Sequence, residues 1–263
     1  MPRNDKTPAT AGTNLDEASQ LLDKADELDH RATQLEQRAL ELENRLGGPS
    51  KDATAKSTDI TVVLDRSGSM EATRDDAIGS FNSFLDEQRS VEGEAAISLV
   101  QFDDQYELVY EGRPLADAPK LTDETFCPRG MTALLDAVGR TIVRTDGRLA
   151  KSKKIPQLVV FVILTDGREN ASREFTRSQV FKMIREHEEK HGWRFIYLGA
   201  NQDAIAEAAK LGVSGERAMY YDIDRMGSAQ GILGKKISAY RRSSDTKDLS
   251  FTERERRSAK ESE

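Results

Sequence analysis

Between Thr58 and about Arg242 the apolar positions switch repeatedly between two spacings. Short runs, apolar throughout or on alternate residues, read as strands, and longer stretches with apolar residues three and four apart read as helices. Asp59–Leu64 is a buried strand, followed after a Ser/Gly turn by a helix with Ala77, Ile78, Phe81, Phe84 and Leu85 on one face. Ala95–Phe102 and Tyr106–Tyr110 flank the turn Asp103-Asp104-Gln105 and predict an antiparallel hairpin. Leu134–Val143 reads as a helix, and Leu158–Leu164 (LVVFVIL) as a central strand covered on both faces. A helix over Ser178–His191, a strand over Trp193–Leu198, a helix over Asp203–Leu211, a short strand over Ala218–Tyr221 and a helix over Gly227–Tyr240 follow. This alternation predicts an α/β domain with a mostly parallel sheet. The charged stretch 243–263 is expected to be a flexible tail.

A different pattern precedes the body. Residues 1–13 are polar and read as a disordered arm. From Asn14 to Leu46 there is no Gly or Pro, and Leu21, Ala25, Leu28, Ala32, Leu35, Ala39, Leu42 and Leu46 are spaced 4-3-4-3-4-3-4. That is a heptad with Ala mostly at a and Leu at d, ended by Gly47-Gly48-Pro49, so 14–48 reads as a coiled-coil helix and 49–57 as a linker. Lys24, Arg31, Arg38 and Arg45 fall at g, and Asp29, Glu36 and Glu43 at e. A parallel homodimer sets these charges against their opposites. Ala at a leaves a narrow seam, so self-pairing through 21–46 is expected to be weak. Folding back on the body, or pairing with another protein's helix, are the alternatives.

Composition narrows the function. Of 263 residues, 39 are Lys or Arg and 46 Asp or Glu, so the formal net charge of −7 disfavours a nucleic-acid surface. No apolar run reaches the roughly 18 residues of a membrane span, and the first residues lack the apolar stretch of a secretory signal, so a cytoplasmic protein is expected. The single Cys127 allows neither an internal disulfide nor a four-Cys zinc site.

The candidate chemistry lies at strand ends. The first strand runs into Asp65-Arg66-Ser67-Gly68-Ser69, the central strand ends Leu164-Thr165-Asp166-Gly167, and Gly130-Met131-Thr132 precedes a helix. Carboxyl ends of strands are where open α/β sheets bind ligands. Asp65, Ser67, Ser69, Thr132 and Asp166 all carry oxygen, the donor that hard divalent cations prefer. A helix cap accounts for Ser67 or Ser69 but leaves Thr132 and Asp166 unexplained.

Those five residues, in this order and context, resemble the metal-ion-dependent adhesion site (MIDAS) of von Willebrand factor A (vWA) domains. The resemblance covers Thr58 to Arg242. It implies a Rossmann-like, doubly wound sheet of six strands, with one short antiparallel edge strand and helices on both faces. It further implies a site for Mg²⁺ or Mn²⁺ whose shell is completed by an Asp or Glu of a partner protein. On this resemblance Ser67 and Ser69 bind the ion directly, Thr132 directly or through water, and Asp65 and Asp166 through water or hydrogen bonds. Bacterial and phage proteins with one such domain and a helical appendage are similar, and some relatives act in assembly or beside AAA+ ATPases.

Other features of the chain bear on that reading less directly. Arg66 is expected either to reach a partner carboxylate or to stay solvated. Asp103 and Asp104 are expected in a solvated turn, or tuning the site. Cys127 lies five residues before Thr132, with no group placed to activate it. His187-Glu188-Glu189-Lys190-His191 matches HExxH, but no third ligand is evident. The Gly227–Lys236 stretch lacks residues a phosphate loop needs, and Asn170-Ala171-Ser172 is a glycosylation sequon expected to be unused. The function expected is a metal-dependent, non-enzymatic protein-binding adapter. A coiled-coil interaction protein with a structural metal is the alternative, and a metal-dependent hydrolase the remote one.

Overall fold

Thr58–Asp65 (TDITVVLD) forms β1, a strand in which every residue is buried. One face carries Thr58, Ile60, Val62 and Leu64 and the other Asp59, Thr61, Val63 and Asp65, and all are buried because parallel strands flank β1 and helices cover both faces. The computed structural model describes residues 57–200, 203–243 and 249–260. The arm 1–13, the coiled-coil helix 14–48 and nearly all of the linker 49–57 lie outside the described residues.

After β1 come a 3₁₀ turn over Gly68–Thr73, α1 (Arg74–Arg89), β2 (Ala95–Phe102), β3 (Tyr106–Pro114), α2 (Leu134–Ala150), β4 (Leu158–Thr165) and α3 (Arg177–His191). Then follow β5 (Arg194–Gly199), α4 (Ala204–Leu211), β6 (Ala218–Tyr220), α5 (Met226–Arg242) and α6 (Glu253–Ser258). The strands make one sheet in the order β3-β2-β1-β4-β5-β6, with all neighbours parallel except β2 and β3. The chain leaves β1 towards β2 on one side and later adds β4 on the other. The carboxyl ends of β1 and β4 therefore flank the point where the winding reverses, which opens a crevice there.

Strand alternation divides the core in two. Ile60, Val62 and Leu64 of β1 pack with Phe81, Phe84 and Leu85 of α1 and Leu233 and Ile237 of α5. On the opposite face Val63, Phe161 and Ile163 pack with Val138 and Ile142 of α2, Val180 and Ile184 of α3 and Leu211 of α4. The strands and helices expected from apolar spacing are all present, and the sheet is the Rossmann-like one that the resemblance implies, except that the antiparallel edge strand is the nine-residue β3 and the short edge strand, β6, is parallel. Among the described residues no helix is long and apolar enough to cross a membrane.

The expectation of a flexible tail is corrected over 249–260. Leu249 and Phe251 are buried in the first core layer, and α6 begins with a capping box in which Thr252 and Glu255 exchange side-chain and backbone hydrogen bonds. The backbone of this segment bonds to the body twice: Phe251 N donates to Glu216 O at 2.8 Å, and Asp222 N donates to Ala259 O at 3.0 Å. The Arg256 guanidinium donates to the carbonyls of Gly215, Glu216 and Ala218, capping part of the short edge strand β6. An edge strand left uncovered is a template for aggregation, so this strap both fills the core and protects the sheet. The folded body thus reaches beyond Arg242.

Candidate metal centre

Three loops converge at the carboxyl ends of β1 and β4. In the first, Asp65 is fully buried. Its Oδ1 accepts from the Ser67 peptide N–H at 2.7 Å, and its Oδ2 accepts from the Thr165 hydroxyl at 2.5 Å. Ser67 is extended, and the 3₁₀ turn that follows is anchored by the buried Met70. This brings Ser69 back alongside: the Ser67 and Ser69 hydroxyl oxygens are 3.2 Å apart, and Ser69 Oγ donates to Asp166 Oδ1 at 2.7 Å.

The second loop is zipped onto the first. Arg129 N donates to Arg66 O at 2.8 Å, and Gly68 N donates to Gly130 O at 3.2 Å. Gly130 has φ +67°, a conformation that favours glycine, and a Cβ there would lie 2.2 Å from Asp104 Oδ1, so the exposed Asp104 side chain would also have to move. Two residues on, Thr132 is 3% exposed, yet its hydroxyl has no hydrogen-bond partner among the described residues. A Cβ on Gly167 would lie 2.7 Å from Thr132 Oγ1 and 3.4 Å from Asp65 Oδ2, so the bare glycine lets these two oxygens approach the same point of the third loop.

All five residues expected from the sequence are therefore brought to one place. Ser67 links to Ser69 and Ser69 to Asp166, while Asp65 and Thr132 both meet the Thr165–Gly167 turn. Burial pushes the Asp65 carboxyl up to about 6 against the lowering effect of its Thr165 and Ser67 hydrogen bonds, and the nearby Asp166 charge adds to the rise. Burial likewise raises Asp166, opposed by the Ser69 hydroxyl. A fully buried carboxylate and a half-buried one, both made harder to ionise, form with the three hydroxyls a donor set of oxygen alone. That chemistry fits a hard divalent cation. Among the described residues no group of three or more His, Cys, Asp or Glu comes together, so hydroxyls are indispensable to such a site.

Arg66 corrects the expectation that it faces a partner or solvent. It is 4% exposed, and its Nε donates to Asp103 Oδ2 at 3.0 Å. One terminal nitrogen donates to Glu107 at 2.5 Å and, more distantly, to Gln101 Oε1. Asp103, expected in a solvated turn, is fully buried and also takes Arg129 Nε at 2.9 Å and the Gln105 N–H at 2.6 Å. Its carbonyl accepts from Ala133 N at 2.9 Å, so this one residue holds the first and second loops together from behind. Asp104 is exposed, as expected of the turn.

Sequence reading missed a second set of supports, between the second and third loops. Asn170 Oδ1 accepts from Thr132 N at 2.9 Å, while Asn170 N and Ala171 N donate to Thr132 O at 3.0 and 3.2 Å. Glu169 accepts from Leu135 N, Ala171 N, Ser172 N and the Ser172 hydroxyl. Asp136 accepts from the N–H groups of Arg173, Glu174 and Phe175. The stretch that scans as a sequon is thus committed to the α2 N-terminus through Asn170 and Ser172. Elsewhere, Cys127 is exposed and bonds weakly to Asp123 O. His187 sets Nδ1 2.7 Å from Met183 O and packs on Trp193, and Glu188 pairs with Arg217 at 2.6 Å, so the HExxH residues serve the packing of α3.

No protein-family model matches the chain, nor does any curated protein. Solved structures do match. Proximal thread matrix protein 1 from the mussel byssus gives a TM-score of 0.51 at 18% identity, over 70% of this chain and 47% of that one. A structure of the same protein with a zinc-occupied MIDAS motif gives 0.50 at 18% identity, over 70% and 46%. A von Willebrand factor type A structure from Catenulispora acidiphila gives 0.46 at 13% identity, over 69% and 42%. This chain spans under half the length of each of these structures. At such identities the likeness is one of fold, and the fold is the vWA-type Rossmann-like sheet.

Proposed function

We propose that this protein is a metal-dependent protein-binding adapter: Ser67, Ser69 and Thr132 hold Mg²⁺ or Mn²⁺, supported by Asp65 and Asp166. A bound divalent ion would supply an open coordination position able to take a carboxylate from outside. The observation that carries the reading is the convergence of these five oxygen-bearing side chains at one pole, with the Thr132 hydroxyl meeting the same turn as the Asp65 carboxylate. Asp65 is held by Thr165 and Ser67, and Asp166 by Ser69, so both carboxylates are engaged in orienting hydroxyls rather than free to move protons. That favours binding over catalysis. The zinc-occupied MIDAS of the mussel protein, on the same fold, agrees with a divalent ion at this pole. The partner class is a protein presenting Asp or Glu.

A ligand that binds only the native state, at a hundredfold excess over its Kd, adds about 2.7 kcal/mol of stability. For a body of this size that corresponds to a rise in Tm of roughly 5–10 °C. Melting in Mg²⁺ or Mn²⁺ against EDTA should show that rise, and Asp65→Ala should remove it. An equal rise in the variant would place the ion elsewhere. A pull-down in Mg²⁺ should retain a partner that EDTA releases. A partner held equally well in EDTA would shift recognition to the coiled-coil segment and leave the metal a structural part.

A further inference from the structure

We infer that Asn170 is the positioning residue of the Thr132 hydroxyl; the inference rests on the metal reading above. Thr132 is gripped on both of its peptide groups from one short stretch. Its N–H donates to the Asn170 side chain at 2.9 Å, and its carbonyl takes the N–H groups of Asn170 and Ala171 at 3.0 and 3.2 Å. With both flanking peptides fixed, the Cα–Cβ bond that carries the hydroxyl is held at the site. The stretch doing the gripping continues the loop that carries Asp166, so the grip sets Thr132 against Asp166 directly rather than through the rest of the fold. Glu169 stiffens the same turn: one oxygen takes the Ala171 and Ser172 N–H groups, the other the Leu135 N–H and the Ser172 hydroxyl.

Of the contacts to Thr132 itself, the one from the Asn170 side chain alone is removable without touching the backbone. Asn170 is exposed, and truncation leaves its own N–H bond to Thr132 O in place. The side chain therefore acts on the ion through Thr132, as residues behind a metal ligand do, where loss lowers affinity about 10–100-fold.

Mn²⁺ titration of the full chain, following the free-ion EPR signal, tests this in a double-mutant cycle. Asn170→Ala should weaken Mn²⁺ binding at least about tenfold. Asn170→Asp, which keeps an accepting oxygen in place, should bind at least as tightly as wild type. In a Thr132→Ala background, adding Asn170→Ala should change nothing further, because the ligand it positions is already gone. Melting in EDTA checks that each variant is folded. Wild-type affinity in Asn170→Ala, weakening in Asn170→Asp equal to that in Asn170→Ala, or an undiminished loss in the Thr132→Ala background would each overturn the assignment. If wild type itself binds no Mn²⁺, the metal reading fails first, a result distinct from all three.

Discussion

Asp103→Ala should cost about 3–5 kcal/mol of stability, the range seen when one partner of a buried ion pair is removed and the other stays. Asp103 is fully buried and accepts from Arg66, Arg129 and the Gln105 peptide, while Arg66 is itself only 4% exposed. Without the carboxylate, Arg66 keeps only Glu107, whose side chain is 52% exposed, and a long contact to Gln101, and one of its nitrogens is already without a partner. Asp103→Asn keeps one acceptor oxygen, turns the other into an NH2 donor and loses the charge, so it should fall between wild type and Ala. Replacing both Arg66 by Met and Asp103 by Leu should cost less than Asp103→Ala alone, since no unpaired charge then remains inside. Urea denaturation measures all three. A loss below about 1 kcal/mol for Asp103→Ala would mean that the pair is solvated and not a structural clasp.

Phe251→Ala should be nearly as damaging, at about 3–5 kcal/mol, with Leu249→Ala at about 2–5 kcal/mol. Both side chains sit in the core layer shared by α1 and α5, and Lys236 Nζ lies 5.7 Å from the Phe251 ring centroid. A chain ended at Ser243 would lose both side chains together with the three carbonyl contacts of Arg256. It should unfold at lower urea than either point variant and, with Ala218 O uncapped at the sheet edge, self-associate on sedimentation. If ending the chain there leaves the denaturation midpoint unchanged, the segment contributes nothing to the core.

The body was legible where local pattern and burial agree. β4 is apolar on both faces because both faces are covered, and its run LVVFVIL states that directly. The five oxygen-bearing residues could be found because each sits next to a strand end or a helix start that the periodicity already marked. Arg66 was misjudged although alternation was available: in an extended stretch Asp65 and Ser67 face one side, so Arg66 faces the other. What the pattern could not say is that the other side holds Asp103 and Glu107, 37 and 41 residues away. Leu249 and Phe251 are two apolar residues in a charged stretch, with no period to announce burial, and only their distant partners bring them inside. Asn170 was visible only as part of a sequon, a pattern whose usual meaning diverted attention from its use as an acceptor for Thr132.

The sheet register has a consequence for how the chain is made. β1 pairs with β2 37 residues downstream, but its other flank waits for β4, with Thr58 opposite Ala95 and Leu158. At a ribosomal pace of about 5–20 residues per second, β4 follows β1 out of the exit tunnel after roughly 5–20 s. Throughout that interval a strand built of Ile, Val and Leu has one bare hydrogen-bonding edge, and Asp65 lacks the Thr165 hydroxyl that later holds it. The emerging β1–β2–β3 unit is therefore the stage at which a ribosome-associated holdase has most to cover, and synonymous codons that slow translation between α2 and β4 would lengthen it.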